Sequence, residues 1–502
     1  MLQPILSLHN VTIRCADQSR FNDICFTVNE GEHWALVGEN LSLRNALIDA
    51  IAGNVSVING QVDFPFYHRY VQTYEVKDSF FSPRKLIASV TSRHSFRNLS
   101  NTTQFYYQQR FNSSDSENSL TVEEFLSSII SSNHHLHWSY SRTIDELHLD
   151  HLLDEQLIKL SNGETKRVLI AEALLRNPLV LLLNNPLTGL DVQSRQEISA
   201  SISKIAATGI TIIMSISANE IPEAITHIAT CNNENNITKS TKETFDPTQV
   251  VNNKDHQISA AEVKALLSIT GKDKYEDVVY MKNVSIKYGD KVILDKINWR
   301  IKQGERWALV GPNGSGKSTL LSLVNGDNPQ AFANDIILFD RKKGSGESIW
   351  DIKKKIGFFS PELYQYFPFD ITCLDTVECG FYDTIGLFRP RQNATTAIAL
   401  HWMRLLGIEH LSGKLLGNIL ANNQRLCLLA RALVKSPPLL IFDEPLQGLE
   451  EYQREHFKQL VDTICSLSNV TLIYVSHYKN EMPGSITKVL RLERGKQLEE
   501  AG

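Results

Sequence analysis

Short apolar runs, separated by polar segments with helical periodicity, recur along the chain. Runs such as LVLLL from Leu179, GITIIM from Gly209 and TLIYV from Thr471 are the length of a strand and carry no charged residue. Such runs are typical of strands buried on both faces, as in a parallel sheet covered by helices. Because they alternate with helical patterns, the sequence predicts an α/β fold, with a mainly parallel sheet and flanking helices.

The pattern occurs twice because the chain is an internal duplication. EHWALVGEN from Glu32 aligns with ERWALVGPN from Glu305, and HNVTI from His9 aligns with KNVSI from Lys282 at the same offset. NPLVLLLNNPLTGLD from Asn177 aligns with the later SPPLLIFDEPLQGLE at a slightly different offset, which indicates an insertion or deletion in between. Each copy runs from a strand through a glycine-containing turn into a helix, and ends in further apolar strands.

The duplication also predicts the domain boundaries. Two domains of ordinary α/β size are expected at residues 1–231 and 278–502. The segment from Asn232, NNENNITKSTKETFDPTQVVNNKDHQ, is rich in Asn and Thr and precedes a short helical pattern, SAAEVKALLSI. Residues 232–277 are therefore predicted to form a polar linker.

Charge and cysteine usage narrow the classes of function. Lys and Arg number 51 against 56 Asp and Glu, so the formal charge of −5 does not draw the chain toward nucleic acid or an anionic membrane. We therefore expect no nucleic-acid partner. The seven cysteines show no CxxC pair and no metal-ligand spacing, which is typical of reduced thiols in a cytoplasmic protein.

The sequence does not predict a membrane span. Its start, MLQPILSLHN, lacks a basic region followed by a long apolar stretch, and the longest apolar runs fall well short of ~20 residues. The predicted location is the cytoplasm, with a peripheral position at the inner face of the plasma membrane as the alternative. Any role in transport would then need a separate membrane permease as a partner.

A complete phosphate-binding motif lies in the second domain. GPNGSGKST from Gly311 matches the pattern GxxxxGK[ST] and stands between the apolar strand RWALV and the helix-like LLSLV, as the motif requires. Lys317 is predicted to reach the β- and γ-phosphates of ATP, and Ser318 to bind Mg²⁺. The alternative, a glycine turn without a ligand, is disfavoured by the full motif in this setting. The predicted nucleotide-binding residues of the loop are Gly311, Asn313, Gly314, Ser315, Gly316, Lys317, Ser318 and Thr319.

Two carboxylates follow a later apolar strand. In LLIFDEP from Leu439, the strand delivers Asp443 and Glu444 to its C-terminal end. Asp443 suits Mg²⁺ through a water, and Glu444 suits the general base that polarises the attacking water. Such a pair is more often a plain turn, but its position downstream of a complete phosphate loop reverses that expectation.

Two further side chains in the second domain are candidates because of their order in the chain. His477 ends the strand TLIYV and could contact the γ-phosphate. Tyr288 precedes the phosphate loop and could stack on adenine through its ring face. An ordinary tyrosine at a strand end is an equally good interpretation of Tyr288.

The order of these motifs resembles that of the ATP-binding cassette (ABC) ATPases over nearly the whole chain apart from the linker. The resemblance implies that two domains face each other head to tail, and that each ATP lies between the Walker motifs of one domain and the LSGGQ signature of the other. The first domain carries such a signature, LSNGET from Leu160. By this resemblance, Ser161 and Gly163 would cover the γ-phosphate of an ATP bound by the second domain.

The phosphate loop and acidic pair of the first domain have diverged from this pattern, and so has the signature of the second domain. In the first domain GENLSLRNA from Gly38 has Leu, Leu, Arg and Asn where the second has Gly, Gly, Lys and Ser, and Asn184-Asn185 replaces the acidic pair. In the second domain the signature position reads ILANN, so that Leu420 and Asn422 replace Ser and Gly. A composite site is formed by the Walker motifs of one domain and the signature of the other. In the pairing that the resemblance implies, all the diverged motifs belong to one composite site and all the intact motifs to the other. The pattern predicts one working ATP site within an intramolecular sandwich.

A narrower resemblance is to the ModF group of molybdenum-transport ATP-binding proteins. It rests on WALVG before the phosphate loop, EPLQGL from Glu444, and YYQQRF from Tyr106. It implies ATP binding and hydrolysis with a link to transport, while no residue points to molybdate itself. The conserved Gln of the family matches Gln108 in the first domain, whereas Pro361 occupies that position in the second.

Two more positions of the second domain depart from the family pattern. Glu362 or Gln365 could replace the missing Gln, and Glu450 stands where the first domain keeps Asp191.

The chain is interpreted first as the ATPase component of an importer, and second as a soluble tandem ATPase acting on a cytosolic machine such as the ribosome. A non-enzymatic ATP-gated binding module is the least favoured interpretation, because a pure binder does not need Glu444.

Overall fold

The computed structural model describes the chain in two compact units. The described residues up to 247 belong to the first unit and those from 258 onward to the second. The described residues are 3–15, 20–38, 40–91, 120–129, 137–157, 160–232, 235–247, 258–268, 274–289, 291–361, 363 and 367–498.

The first unit begins with three strands, and helices and strands are interspersed along the rest of it. Its strands are β1 (Pro4–Arg14), β2 (Arg20–Asn29), β3 (Trp34–Val37), β4 (Ser56–Asp63), β5 (Ile87–Val90), β6 (Val180–Asn184), β7 (Thr211–Ser215), β8 (His227–Cys231) and β9 (Ile237–Thr241). Its α-helices are α1 (Leu41–Ala52), α2 (Pro65–Thr73), α3 (Val122–Ser127), α4 (Tyr140–Glu146), α5 (Asn162–Leu175) and α6 (Val192–Ala207). Short 3₁₀ helices cover Pro83–Leu86, Asp150–Leu152 and Lys242–Thr244.

Two sheets form the first unit. An antiparallel sheet has the order β2-β1-β4, and a second sheet has the order β5-β6-β7-β3-β8-β9, parallel except for β9. Side chains alternate along the parallel strands. Leu182 of β6 packs with α1 and the antiparallel sheet, whereas its neighbours Leu181 and Leu183 pack with α5 and α6 on the other face. Burial on both faces is the reason that these strands read as continuous apolar runs.

The second unit repeats this order. Its strands are β10 (Asp277–Tyr288), β11 (Lys291–Lys302), β12 (Arg306–Val310), β13 (Asp335–Leu338), β14 (Arg341–Lys342), β15 (Ile356–Phe359), β16 (Leu439–Asp443), β17 (Thr471–Val475), β18 (Lys488–Glu493) and β19 (Lys496–Leu498). Its α-helices are α7 (Ala260–Leu267), α8 (Lys317–Val324), α9 (Ile349–Lys353), α10 (Cys373–Glu378), α11 (Asn393–Leu405), α12 (Ala421–Leu433) and α13 (Glu451–Leu467). Short 3₁₀ helices cover Pro329–Ala333, Cys379–Phe381, Glu409–Leu411, Leu416–Asn418 and Lys479–Glu481.

The sheets of the second unit match those of the first, except that β14 adds a fourth strand to the antiparallel sheet. The antiparallel sheet has the order β11-β10-β13-β14, and the mainly parallel sheet has the order β15-β16-β17-β12-β18-β19. Local details repeat as well, because Trp34 and Trp307 each donate their indole N–H to a glutamate two residues earlier, at 3.0 and 2.9 Å. The predicted α/β fold, with a mainly parallel sheet flanked by helices in each of two units, is confirmed.

Parts of the segment predicted as a linker are structured. β9 pairs with β8 and completes the sheet of the first unit, while α7 packs on α13 within the second unit. The boundaries of the linker stay predictions, but 232–277 is not a uniformly extended connection. Within the described residues, no helix has the length and apolar character needed to cross a membrane.

Candidate active site

The phosphate loop of the second unit joins β12 to α8 and takes a conformation that requires glycine. Gly316 has φ +100° at the N-cap of α8, and a Cβ there would lie 2.7 Å from the Cδ2 atom of Leu294. At Gly311 a Cβ would collide with the main-chain oxygen of Leu492. Neither position therefore accepts a side chain, and both glycines keep the backbone free to approach a phosphate group.

Lys317 begins α8 directly after the loop, and its contact with phosphate stays a prediction. Its side chain is buried, and Nζ donates to the carbonyl oxygens of Gly311 (2.8 Å) and Pro312 (2.9 Å) in the same loop. Ser315 is also buried, and its hydroxyl has no hydrogen-bond partner within the described part of the chain. A buried hydroxyl that faces no protein partner suits a loop whose polar groups bind a ligand.

The acidic pair and the histidine meet at the same edge of the sheet. β16 ends at Asp443, and its neighbour β17 is followed by Ser476 and His477, with β12 as the next strand. Ligands of α/β proteins bind at the carboxyl ends of such strands. The topology therefore places Asp443, Glu444 and His477 at the edge where the phosphate loop begins.

Glu444 and His477 form a close pair. The Nε2 atom of His477 lies 2.8 Å from Oε1 of Glu444, with exposed side-chain fractions of 5% and 18%. The two atoms are near enough for an ion pair but are not aligned as a hydrogen bond. Glu444 has φ +46°, an uncommon conformation for this residue type, and its N–H donates to the carbonyl of Val475 at 3.0 Å. Asn185, the equivalent residue of the first unit, has φ +47° and donates to the carbonyl of Ser215 at 2.8 Å, so this conformation belongs to the turn after the strand in both units.

The segment next to His477 is held by two residues that sequence analysis missed. The Oγ of Ser476 donates to Glu481 at 2.9 Å, and Nη1 of Arg454 lies 3.7 Å from the same carboxylate. The first unit contains the equivalent ion pair between Arg195 and Glu220. The repeated segments NEIP and NEMP, which contain these two glutamates, were the signal that could have revealed the pair.

Tyr288 ends β10, and its hydroxyl accepts a hydrogen bond from Nδ2 of the buried Asn328 at 3.0 Å. This bond fixes the tip of the ring. Both interpretations of Tyr288, adenine stacking and an ordinary strand-end tyrosine, remain predictions.

The signature segment of the first unit starts a helix. Ser161 is the N-cap of α5, where its Oγ accepts from the N–H of Glu164 (3.4 Å) and its own N–H donates to the Glu164 carboxylate (2.7 Å). Gly163 has little spare room, since a Cβ would lie 3.1 Å from Oγ of Ser194. Ser161 therefore caps a helix whose N-terminus carries a partial positive charge, and Gly163 keeps its first turn free of a side chain.

The corresponding loop of the first unit is folded differently. α1 begins at Leu41, at the position equivalent to Gly314, so the helix starts three residues earlier than α8 does in its own unit. Oδ1 of Asn40 accepts from the N–H of Leu43 at 2.9 Å, and the Leu43 side chain is fully buried. An amide that would face phosphate is therefore occupied by a helix cap.

The two leucines of this loop, Leu41 and Leu43, stand at the positions of Gly314 and Gly316. Both residues take helical conformations, and they convert the loop into a helical turn.

Neutral amides replace the metal-binding and acidic residues in the first unit. Nδ2 of Asn184 donates to Asn45 at 3.1 Å, and Nδ2 of Asn185 donates to Asn184 at 2.9 Å. Arg44, at the position of Lys317, is buried and donates from Nη1 to the carbonyl of Ile216 at 3.0 Å. The polar groups of this edge are bonded to one another.

The diverged signature of the second unit is also repacked. Leu420 caps α12 without a side-chain hydrogen bond, and Asn422, at the position of Gly163, is buried. Nδ2 of Asn422 donates to Gln453 at 3.1 Å and to Glu450 at 3.3 Å. The side chain that replaces a glycine therefore binds the start of α13 in its own unit.

Three of the predicted positions lie outside the described residues: Gln108, Glu362 and Gln365. Their proposed roles stay predictions.

Ser318 and Asp443 form a donor set that fits Mg²⁺. Ser318 is in the first turn of α8 and is exposed, and Asp443 is half-buried at the end of β16. Mg²⁺ prefers oxygen ligands and is usually held by one or two protein groups, substrate phosphates and water. Two oxygen donors at the edge next to a phosphate loop are consistent with that requirement.

Comparison with known proteins places both units in one family. The chain matches the family described as ABC transporter over residues 21–188 and 294–447. It is 31% identical over 483 residues to the ABC transporter ATP-binding protein ModF of Escherichia coli K12, covering 95% of this chain and 94% of that protein. It is 30% identical over 499 residues to an uncharacterized ABC transporter ATP-binding protein of Schizosaccharomyces pombe, covering 97% of each.

Two solved structures resemble the fold over nearly the whole chain. A structure of ribosome-bound archaeal Pelota and ABCE1 has a TM-score of 0.59 and covers 97% of this chain and 78% of that one, at 16% identity. A structure of RNase-L Inhibitor has a TM-score of 0.51 and covers 98% of this chain and 90% of that one, at 17% identity. At these identities the likeness concerns the fold alone.

Proposed function

The chain belongs to the ABC transporter family of ATP-binding cassettes, and we propose that it hydrolyses ATP at a single composite site. That site combines the phosphate loop and acidic pair of the second unit with Ser161 and Gly163 of the first, paired head to tail within one chain. The observation that carries the proposal is the segregation of the motifs. Every intact part belongs to one composite site, and the other halves are rebuilt with internal hydrogen bonds.

The roles of the residues follow from where they lie. Lys317 and the loop amides bind the β- and γ-phosphates, and Glu444 accepts a proton from the attacking water. His477, in contact with Glu444, orients that carboxylate and contacts the γ-phosphate. Ser161 and Gly163 cover the γ-phosphate when the units close.

The metal would be held by Ser318 and Asp443. When bound, Mg²⁺ neutralises the negative charge that develops on the phosphate oxygens. ATP and Mg²⁺ are the cofactors that the family generally uses, and the donor set described above fits both.

The first unit acts as a lid that completes the site without holding nucleotide itself. Its phosphate loop is a capped helical turn, and its acidic pair is neutral. Closure driven by ATP is therefore asymmetric. We propose that the chain is the ATP-binding component of a transport system, with a separate membrane permease as partner. This proposal is supported by a relative, matched over 95% of the chain, that is named as an ABC transporter ATP-binding protein. Whether its cargo is molybdate or another solute is not implied by any residue of the site.

The direct test is Mg²⁺-dependent ATP hydrolysis by the full chain and by Glu444→Gln. Loss of the base should lower turnover by about 10²–10³-fold while ATP still binds, because a group that acts only in the transition state is removed. Asn185→Asp, at the equivalent position of the first unit, is the matched control and should leave turnover unchanged. Wild-type turnover in Glu444→Gln would rule out the proposed base.

The second candidate is a soluble ATPase that acts on a cytosolic machine such as the ribosome. It is suggested by the fold likeness, over nearly the whole chain, to a structure of ribosome-bound archaeal Pelota and ABCE1. Trapping the closed state with ATP in Glu444→Gln and fractionating a cell lysate separates the two ideas. Recovery with membranes supports the transport role, whereas co-sedimentation with ribosomes supports the second candidate.

A further inference from the structure

A buried hydroxyl lies next to the acidic pair without a hydrogen-bond partner. Ser360 follows β15 directly and is only 1% exposed, and its Oγ bonds to nothing in the described residues. Leaving a buried polar group unpaired destabilises a fold, because the group loses its hydrogen bonds to water. Such a group in a stable fold calls for an explanation, and a bound ligand or water is a common one.

Sheet register places Ser360 beside Asp443. β15 and β16 are parallel neighbours in which Phe359 is paired with Phe442. The next residues along the two strands, Ser360 and Asp443, are therefore neighbours at the carboxyl edge. Adjacent strands lie about 4.8 Å apart, a distance that one water can bridge between a hydroxyl and a carboxylate.

Alternation along the strands puts both side chains on the same face. Phe358 and Ile441, two residues before Ser360 and Asp443, pack in the core that contains α8, whereas Phe359 and Phe442 pack in the core on the opposite face. Because residues two apart share a face, Ser360 and Asp443 project toward α8. That helix begins with Lys317 and Ser318.

We infer that Ser360 is a positioning residue of the ATPase site, whose hydroxyl holds a water shared with Asp443 next to the bound Mg-ATP. A hydroxyl can donate to one partner and accept from another, which suits it to orient a water. Pro361 lies at the position of the family's glutamine, and its side chain has no hydrogen-bond donor that could orient a water. The inference rests on the proposed function, since it presupposes that the second unit binds ATP with Mg²⁺.

The first unit provides the contrast. In β5 and β6, Val90 is paired with Leu183, so Thr91 occupies the register of Ser360 beside Asn184. Thr91 is exposed, whereas Ser360 is buried. The buried hydroxyl therefore occurs in the unit that keeps its acidic pair.

The test compares Ser360→Ala with wild type and with Thr91→Ala. Without nucleotide, Ser360→Ala should melt at the wild-type temperature or above it, because an unpaired buried hydroxyl is removed. Its turnover should fall by about 10- to 100-fold, as is usual when the partner of a metal-bound group is lost. The Mg²⁺ concentration that gives half of the ATP-induced thermal shift should rise by a similar factor, whereas the shift with ATP and EDTA should not change.

Two further variants complete the design. Ser360→Thr restores a hydroxyl and should recover part of the lost turnover and the Mg²⁺ requirement. Thr91→Ala should behave as wild type in every readout.

Three results would overturn the inference. Wild-type turnover and Mg²⁺ requirement in Ser360→Ala would show that the hydroxyl has no part in the site. A melting temperature lowered by several degrees without nucleotide would show that it is structural. If Glu444→Gln is inactive while Ser360→Ala is normal, this inference fails and the proposed function stands. If the wild-type chain shows neither Mg²⁺-dependent hydrolysis nor binding, both fail.

Discussion

The two phosphate loops occupy the same place in the two units but differ in what satisfies their polar groups. In the second unit, glycines keep the loop open and Lys317 is held by the loop carbonyls. In the first unit the helix starts earlier, Asn40 caps it, and Arg44 donates to the carbonyl of Ile216, directly after β7. Both loops make internal hydrogen bonds, but the glycine loop also contains the buried hydroxyl of Ser315, which has no partner in the described residues.

The signature segments differ in the opposite direction. Ser161 and Gly163 of the first unit stay small and begin a capped helix. Asn422 of the second unit instead reaches the start of α13. Divergence of the motif residues in each unit is thus accompanied by hydrogen bonds within that unit, which make these residues part of its fold.

The largest expected difference between the units concerns the two basic residues of the loops. Lys317→Ala should lower ATP affinity and turnover by about 10²–10³-fold, because a charge that contacts the phosphates is lost. Arg44→Ala should change turnover by less than about two-fold. It should instead lower the melting temperature by a few degrees, because a buried hydrogen-bonding side chain is lost.

Turnover and thermal unfolding of both variants provide the check. Nucleotide titration of Glu444→Gln should also give one ATP per chain. Two ATP per chain, or loss of turnover in Arg44→Ala, would contradict the view that the first loop is purely structural.

A smaller effect is expected at the diverged signature. Asn422→Gly should reduce stability by about 1–2 kcal/mol, through two lost hydrogen bonds and a glycine in a helix, without altering turnover. The reciprocal change, Gly163→Asn, should abolish most turnover, because its side chain would crowd Ser194 and disturb the signature segment proposed to complete the site. Similar turnover losses in both variants would show that both signatures contribute to catalysis.

Much of the fold could be predicted from the sequence because the features involved are local or repeated. Apolar runs predicted the buried parallel strands, and self-alignment predicted two equivalent units. The phosphate loop was equally visible, since its glycines and Lys317 are consecutive in the chain.

The missed features depend on contacts between distant segments or on competing local preferences. The early start of α1 arises because Leu41 and Leu43 favour a helix and Asn40 can cap it, which a motif comparison does not weigh. The position of Ser360 beside Asp443 requires the register of two strands whose residues are more than eighty positions apart. β9 was hidden in a segment whose polar composition resembles that of a linker.

The central claim is that the first unit contributes its signature to the site of the second. The most direct measurement is ATP hydrolysis by Ser161→Asp, with Leu420→Asp as the matched change in the other signature. Aspartate caps a helix as well as serine does, so α5 should stay intact, yet its charge would repel the γ-phosphate. We expect the rate of ATP hydrolysis to fall by at least about 10²-fold in Ser161→Asp and to stay at the wild-type value in Leu420→Asp. Undiminished hydrolysis by Ser161→Asp would contradict the composite site.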